Sequence, residues 1–305
     1  MPDVQSAAKP GTAKEPRAAP ENPKPTRYVL VLYQGLDSST RDDQLDMELV
    51  MRLRRLCDSV IKDPPEQAEM DVWLESPGGD AHAAYKLVVL LRAVSSRIRV
   101  IVPDYAKSAA TLLTLGADEI YMAPAAELGP LDYQIPREGG VTSRISALDI
   151  ARSVEDLASL AVDIAVAGGA NVLRQTRLTR SESLGHMLTF SAAFFEPIVR
   201  QLDPALIHWS STLLEVTVAY ADRLLGMRAP DTPPALPRLA RTLVEEYPTH
   251  GFVISRSEAR DRLKLPVYDL AAYPFMVQAC GRHREFEESG RNDIALIRAD
   301  SLVRE

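Results

Sequence analysis

Residues 28–33 read Tyr-Val-Leu-Val-Leu-Tyr, an apolar run with no polar interruption. A strand with one wet face alternates, so continuous apolarity predicts a strand covered on both faces. Further strand-length apolar stretches, each carrying one or two charged residues, follow at 70–74, 97–102 and 119–122. Between them the period becomes helical. Leu45, Leu49, Leu53, Leu56 and Val60 form a stripe opposite Arg52, Arg54 and Arg55, and Asp63-Pro64-Pro65 ends it. Residues 83–94 predict a strongly apolar helix, and a short helix follows Ser108 as far as Leu115, with Gly116 closing it. Strands and helices alternating at these lengths require parallel crossovers, so the first half is an α/β layered domain.

From 147 to 228 the pattern turns helical almost throughout. Gly168-Gly169 and Leu202-Asp203-Pro204 are the expected breaks between three helices. Pro230, Pro233, Pro234 and Pro237 mark a linker, after which come a helix ending near Glu246, a short strand at 252–254 and a helix opened by Ser255 or Ser257. Residues 1–26, rich in Pro, Ala and Lys, read as a disordered tail, and 282–305 as a polar tail of little periodicity, leaving 27–281 as the folded domain. No internal repeat is present.

Composition narrows the function. With 35 basic against 42 acidic residues the net charge is −7, and no clustered basic surface of the kind nucleic acids require stands out. Two cysteines, Cys57 and Cys280, fit a reducing compartment and exclude a disulfide framework or a cysteine-built zinc site. His186, His208 and His283 match no metal spacing, so no metal is expected. The most apolar windows, around Leu87 to Val94 and Leu213 to Leu225, are short or interrupted by charge, so no membrane span and a cytoplasmic location are expected.

Two stretches carry chemistry: Glu75-Ser76-Pro77-Gly78-Gly79-Asp80, and Tyr105-Ala106-Lys107-Ser108-Ala109-Ala110-Thr111. Each closes a strand and opens a helix, which brings both to one edge of a sheet. Glycines without Cβ let a carbonyl approach the main chain and expose its N–H groups. Ser108 brings a hydroxyl to a helix start. Separately, Pro-Gly-Gly serves as an ordinary turn and Ser108 as an N-cap; together they supply a nucleophile beside an oxyanion hole, with Gly78, Gly79 and Ala109 as the candidate amides.

These stretches, with Gly116-Ala117-Asp118-Glu119-Ile120 and Leu128-Gly129-Pro130-Leu131-Asp132-Tyr133-Gln134, resemble the serine dehydrogenase proteinase family. That family is related to signal peptide peptidase A and the proteolytic subunit of Clp protease. The match is specific over about residues 72–134, and a weaker one covers Thr249-His250-Gly251-Phe252-Val253-Ile254, Ser257-Glu258-Ala259 and Leu265-Pro266-Val267. The resemblance implies a ClpP/crotonase-like layered spiral of parallel strands and helices, with 147–228 as an added helical segment. It also implies a serine peptidase with Ser108 as nucleophile, acting without cofactor on a peptide or protein substrate, and a homo-oligomer. Lys107 departs from the apolar residue usual in its slot.

The base is open at this point. His250 as base with Asp132 orienting it gives a triad with its usual chain order exchanged, and triads are defined by geometry. A dyad with Lys107 or Lys86 is the rival, and His82 follows the glycines closely enough to face the same cleft. His250 serves equally as a loop histidine, and Asp132, between Pro130 and Pro136, as a turn residue. A crotonase-type acyl-CoA hydratase or isomerase uses the same fold, but it needs no hydroxyl at Ser108, and no pair of catalytic carboxylates presents itself. A non-catalytic oligomeric scaffold is the third reading.

Overall fold

The computed structural model describes residues 24–35, 44–136, 144–274, 283–285, 288 and 293–299. Almost all of the expected N-terminal tail, and Cys280, fall outside them. In chain order the elements begin with β1 (Thr26–Tyr33), α1 (Met47–Val60), β2 (Ala68–Glu75), α2 (Ala81–Val94), β3 (Arg97–Val102), β4 (Tyr105–Ala106) and α3 (Ala109–Thr114). There follow β5 (Glu119–Met122), β6 (Glu127–Leu128), β7 (Gln134–Pro136), β8 (Arg144–Ser146), α4 (Ala147–Gln175), α5 (Arg180–Val199) and α6 (Pro204–Gly226). The chain closes with α7 (Leu239–Glu245), β9 (Ile254–Ser255), α8 (Arg256–Asp261), β10 (Val267–Asp269) and β11 (Asp293–Arg298).

A six-stranded sheet runs β10-β5-β3-β2-β1-β11. Its first five strands are parallel, and β11 pairs antiparallel with β1 from Tyr28 opposite Arg298 to Tyr33 opposite Asp293. The tail expected to be loosely held therefore supplies an edge strand. Alternation explains the double burial of β1: Tyr28, Leu30 and Leu32 join the main core, while Val29 and Val31 join Trp73, Ile101 and Tyr273 on the opposite face. Each such side chain taken fully out of water contributes about 1.5–3 kcal/mol.

A second, three-stranded sheet, β4-β6-β9, collects the segments that bear the candidate chemistry. Asp46 caps α1 by accepting from the Leu49 N–H, and Asp80 caps α2 by accepting from the His82 N–H. Buried Asp118 ties the far end of the layer, accepting from both terminal nitrogens of Arg92 and from the N–H groups of Ile98 and Ala229.

One expected boundary moves. Gly168 and Gly169 do not end a helix; α4 runs through them for 29 residues and stops at Thr176. The glycines lie where α4 meets α5: a Cβ on Gly168 would displace the end of the Met187 side chain, and one on Gly169 would make ordinary contact, 3.6 Å, with Leu184 Cα. Unbroken, α4 is long and apolar enough by length and composition to cross a membrane, with 11% of that window buried.

Candidate active site

The two glycine- and serine-bearing loops are stitched directly together. Ser76 N–H donates to the Tyr105 carbonyl at 3.1 Å and Lys107 N–H donates to the Ser76 carbonyl at 3.0 Å. Beneath this bridge the buried Ser76 hydroxyl donates to Gln34 Oε1 at 2.5 Å and accepts from Gly78 N–H at 3.0 Å. Thr111 locks the serine loop to the next strand: its hydroxyl donates to the Ala106 carbonyl at 2.6 Å and accepts from Gly129 N–H at 3.0 Å.

Both glycines are required by geometry. Gly78 has φ +107° and Gly79 φ +146°, which side chains rarely tolerate. A Cβ on Gly78 would lie 2.6 Å from the Lys107 carbonyl oxygen, 2.9 Å from Ser108 Cβ and 3.0 Å from Ala109 N, so the diglycine corner presses on the serine itself. On its other side Leu45 N–H donates to the Gly78 carbonyl and Asp80 N–H to the Leu45 carbonyl, each at 2.8 Å. A parallel bridge of this kind uses the groups flanking Gly79 and leaves its own N–H facing away.

Ser108 stands at φ +51°, ψ −120° before α3, and its hydroxyl does not cap the helix. A serine merely closing a helix start would be extended and bonded to the second or third amide. This one is half-buried and strained, and its hydroxyl has no partner among the described residues, a combination found where function fixes the backbone. Neither Gly79 N–H nor Ala109 N–H, the latter at the first position of α3, has an acceptor among the described residues. The expected trio of amides thus divides: Gly78 N–H is held by Ser76, while Gly79 and Ala109 keep theirs.

A cavity of about 340 Å³ opens on this corner, lined by Gln44, Gly78, Gly79, Ser108, Tyr133 and His250 among others. Ser108 and His250, about 140 residues apart in the chain, border one space. His250 Nδ1 lies 3.0 Å from the main-chain oxygen of Asp132. A carbonyl only accepts, so Nδ1 carries a hydrogen, and in the neutral ring Nε2 is then the basic nitrogen. The Asp132 carboxylate turns elsewhere, accepting from Gln134 Nε2 at 2.8 Å and Leu148 N–H at 3.4 Å. Burial pushes this carboxyl above the usual aspartate range, against hydrogen bonds from Ser146 and Leu148 that act the other way.

The lysine and His82 alternatives lead away from the cavity. Lys107 pairs with Glu127 on β6, Lys86 is exposed on α2, and His82 Nδ1 meets the Tyr220 hydroxyl at 2.8 Å. Side chains adjacent at a helix start diverge, which is why nearness to Ser108 in sequence does not bring Lys107 into the site. His283 is buried, 2.7 Å from Glu75 through Nε2. Among the described residues no group of three or more His, Cys, Asp or Glu is arranged to hold a metal ion. Gln44 is the lining residue that sequence reasoning missed; only the bridge from Leu45 to Gly79 carries it there.

Residues 47–175 match the model of the ClpP-like SDH-type serine proteinases. Over this segment the chain is similar to the serine dehydrogenase proteinase family. With it comes the α/β ClpP-like fold, and the matched span holds the diglycine corner, Ser108 and Asp132, with His250 beyond it. Two uncharacterized proteins of Methanocaldococcus jannaschii are similar to the chain. One is 41% identical over 75 residues, 25% of this chain and 26% of its own length, and the other 37% identical over 90 residues, 30% and 28%. The chain therefore spans little more than a quarter of these relatives. Solved structures of the 1510-N membrane-bound stomatin-specific protease align more loosely. A serine-to-alanine mutant is 17% identical over 53% of this chain and 69% of its own, TM-score 0.31; a second mutant, in complex with a substrate peptide, is 21% identical over 55% and 74%, TM-score 0.30.

Proposed function

We propose that this chain is a member of the serine dehydrogenase proteinase family and a peptidase that hydrolyses peptide bonds through an acyl-enzyme on Ser108. The observation that carries the reading is the strained Ser108, with an uncommitted hydroxyl, set against the diglycine corner at the mouth of a cavity that His250 also lines.

In this reading Ser108 Oγ attacks the scissile carbonyl and its proton passes to His250 Nε2. The N–H groups of Gly79 and Ala109 receive the oxyanion, and the same imidazole returns the proton to the leaving amine. His250 is positioned by the Asp132 main chain, and the Asp132 carboxylate braces the start of α4. Loss of one oxyanion donor from such a site typically costs about 100- to 1,000-fold in turnover.

A fluorophosphonate probe tests the proposal. Covalent labelling of Ser108 that disappears in Ser108→Ala is the expected result. Acyl-CoA hydration or isomerisation without labelling would transfer the site to the hydratase reading, and a chain that neither labels nor turns over acyl-CoA would leave only the scaffold.

A further inference from the structure

The hairpin of α4 and α5 is packed in the reverse of the usual order for a protein in water. Its inner seam is made of small and hydroxylated residues: Ala165, Gly169, Ser183 and Ser191 are buried, the Ser183 hydroxyl donating to the Gly169 carbonyl at 2.6 Å and the Ser191 hydroxyl to the Ala161 carbonyl at 2.7 Å. Phe195 is buried with them, as are Leu148 and Ile150 at the start of α4, but most of the other large apolar residues face outward. Val162 and Val166 are 54% and 56% exposed, and Phe190 and Phe194, stacked on one another, 53% and 55%. Burial in water favours the opposite sorting, whereas helices against lipid pack through small residues and cross-helix hydroxyl bonds and turn their bulk outward.

The remaining features select the occupant. Arg174, Arg177 and Arg180 are all exposed at the hairpin tip, where anionic headgroups would complement them. Leu188 and Phe190, both exposed, project about 160° apart round the helix axis, flanks that a fluid apolar phase wets together and one rigid partner face does not. Asp163, His186 and Glu196 are exposed partway along the two helices, which opposes threading the hairpin through a hydrocarbon core. We infer that the α4–α5 hairpin lies on an anionic lipid bilayer, its apolar flanks at the acyl boundary and its three arginines among the headgroups. This inference is independent of the peptidase reading.

Flotation of the purified full chain tests it, using vesicles of phosphatidylcholine alone or mixed with phosphatidylglycerol, with light scattering in parallel. The wild type should float with the mixed vesicles, and Phe190→Ser/Phe194→Ser should weaken binding by about ten-fold or more with an unchanged circular dichroism spectrum. Arg174→Gln/Arg177→Gln/Arg180→Gln should weaken binding to the mixed vesicles by about a hundred-fold and leave that to phosphatidylcholine unaltered. A wild type that never floats, or floats undiminished in both variants, overturns the inference. If it never floats and the phenylalanine variant converts a dimer to a monomer, the face belongs to a second copy of the chain instead.

Discussion

The His250 imidazole is held by the Asp132 main-chain carbonyl, 3.0 Å from Nδ1, while the carboxylate of the same residue faces Gln134 and the start of α4. Where a carboxylate holds the imidazole, its amide replacement costs about 10,000-fold. Here Asp132→Asn keeps the main-chain acceptor, and its amide oxygen still accepts from Leu148. Peptidase kcat/KM in this variant is expected to stay within about ten-fold of wild type, against a loss of about 100- to 10,000-fold for His250→Ala. A collapse in Asp132→Asn equal to that of His250→Ala would return the carboxylate to the catalytic relay.

Gly78 gives a second test, because its missing side chain sets the position of Ser108, the proposed nucleophile. Gly78→Ala forces a Cβ against the Lys107 carbonyl oxygen and Ser108 Cβ at φ +107°, and the serine loop must shift. Fluorophosphonate labelling of Ser108 should slow by about 100-fold or more. The strain itself costs of order 1–3 kcal/mol, read from the urea midpoint. Unchanged labelling would mean that the corner and the serine are not geometrically coupled.

Much of this site was legible because its signals are local. A continuous apolar run marks β1, shorter apolar stretches broken by a charge mark β2 and β3, and Pro-Gly-Gly and Ser108 each sit where a strand hands over to a helix. Three features were not legible, each for a long-range reason. Gly168-Gly169 punctuates a sequence, yet in the molecule it lies inside α4 where that helix packs on α5. The segment 293–298 holds only a four-residue apolar run, Ile-Ala-Leu-Ile, inside a polar tail, and its partner β1 lies more than 250 residues earlier. The pairing of His250 with Asp132 was expected side chain to side chain; which atom of a residue faces its partner is decided by backbone direction, and composition does not encode that.

Asp118 supplies a pH-dependent contribution to stability. Burial opposes its ionisation, but the hydrogen bonds from Arg92, Ala229 and Ile98 and the guanidinium charge outweigh it and hold the carboxyl below the usual aspartate range. The folded-state value is depressed, so the stabilisation is fully present above the unfolded value of about 3.9 and is lost as pH falls through the folded one. Asp118→Asn leaves Arg92 short of its counter-charge and should cost about 3–5 kcal/mol at neutral pH. Urea titrations at descending pH check both points: the difference between wild type and variant should shrink below about pH 4. A constant difference would show that the pair contributes no charge-dependent stability.

On the proposed mechanism, acyl selectivity is set by the space next to Ser108. A second cavity of about 10 Å³ borders Ser108 and is closed by Ala81, Leu112, Leu131, Tyr133 and Thr217. That is about the volume of one water-sized sphere, enough for a methyl group and not for a longer chain. In this arrangement p-nitrophenyl acetate should acylate Ser108 faster than p-nitrophenyl hexanoate. Leu112 is fully buried in the wall of this cavity. Leu112→Ala should shift the ratio toward hexanoate at a stability cost of about 2–5 kcal/mol. Thr217→Ala on α6 removes less volume and should shift the ratio in the same direction by less. A wild type that prefers hexanoate, or a ratio unmoved by both variants, would mean that the acyl group occupies the larger cavity on the His250 side and that these walls do not select it.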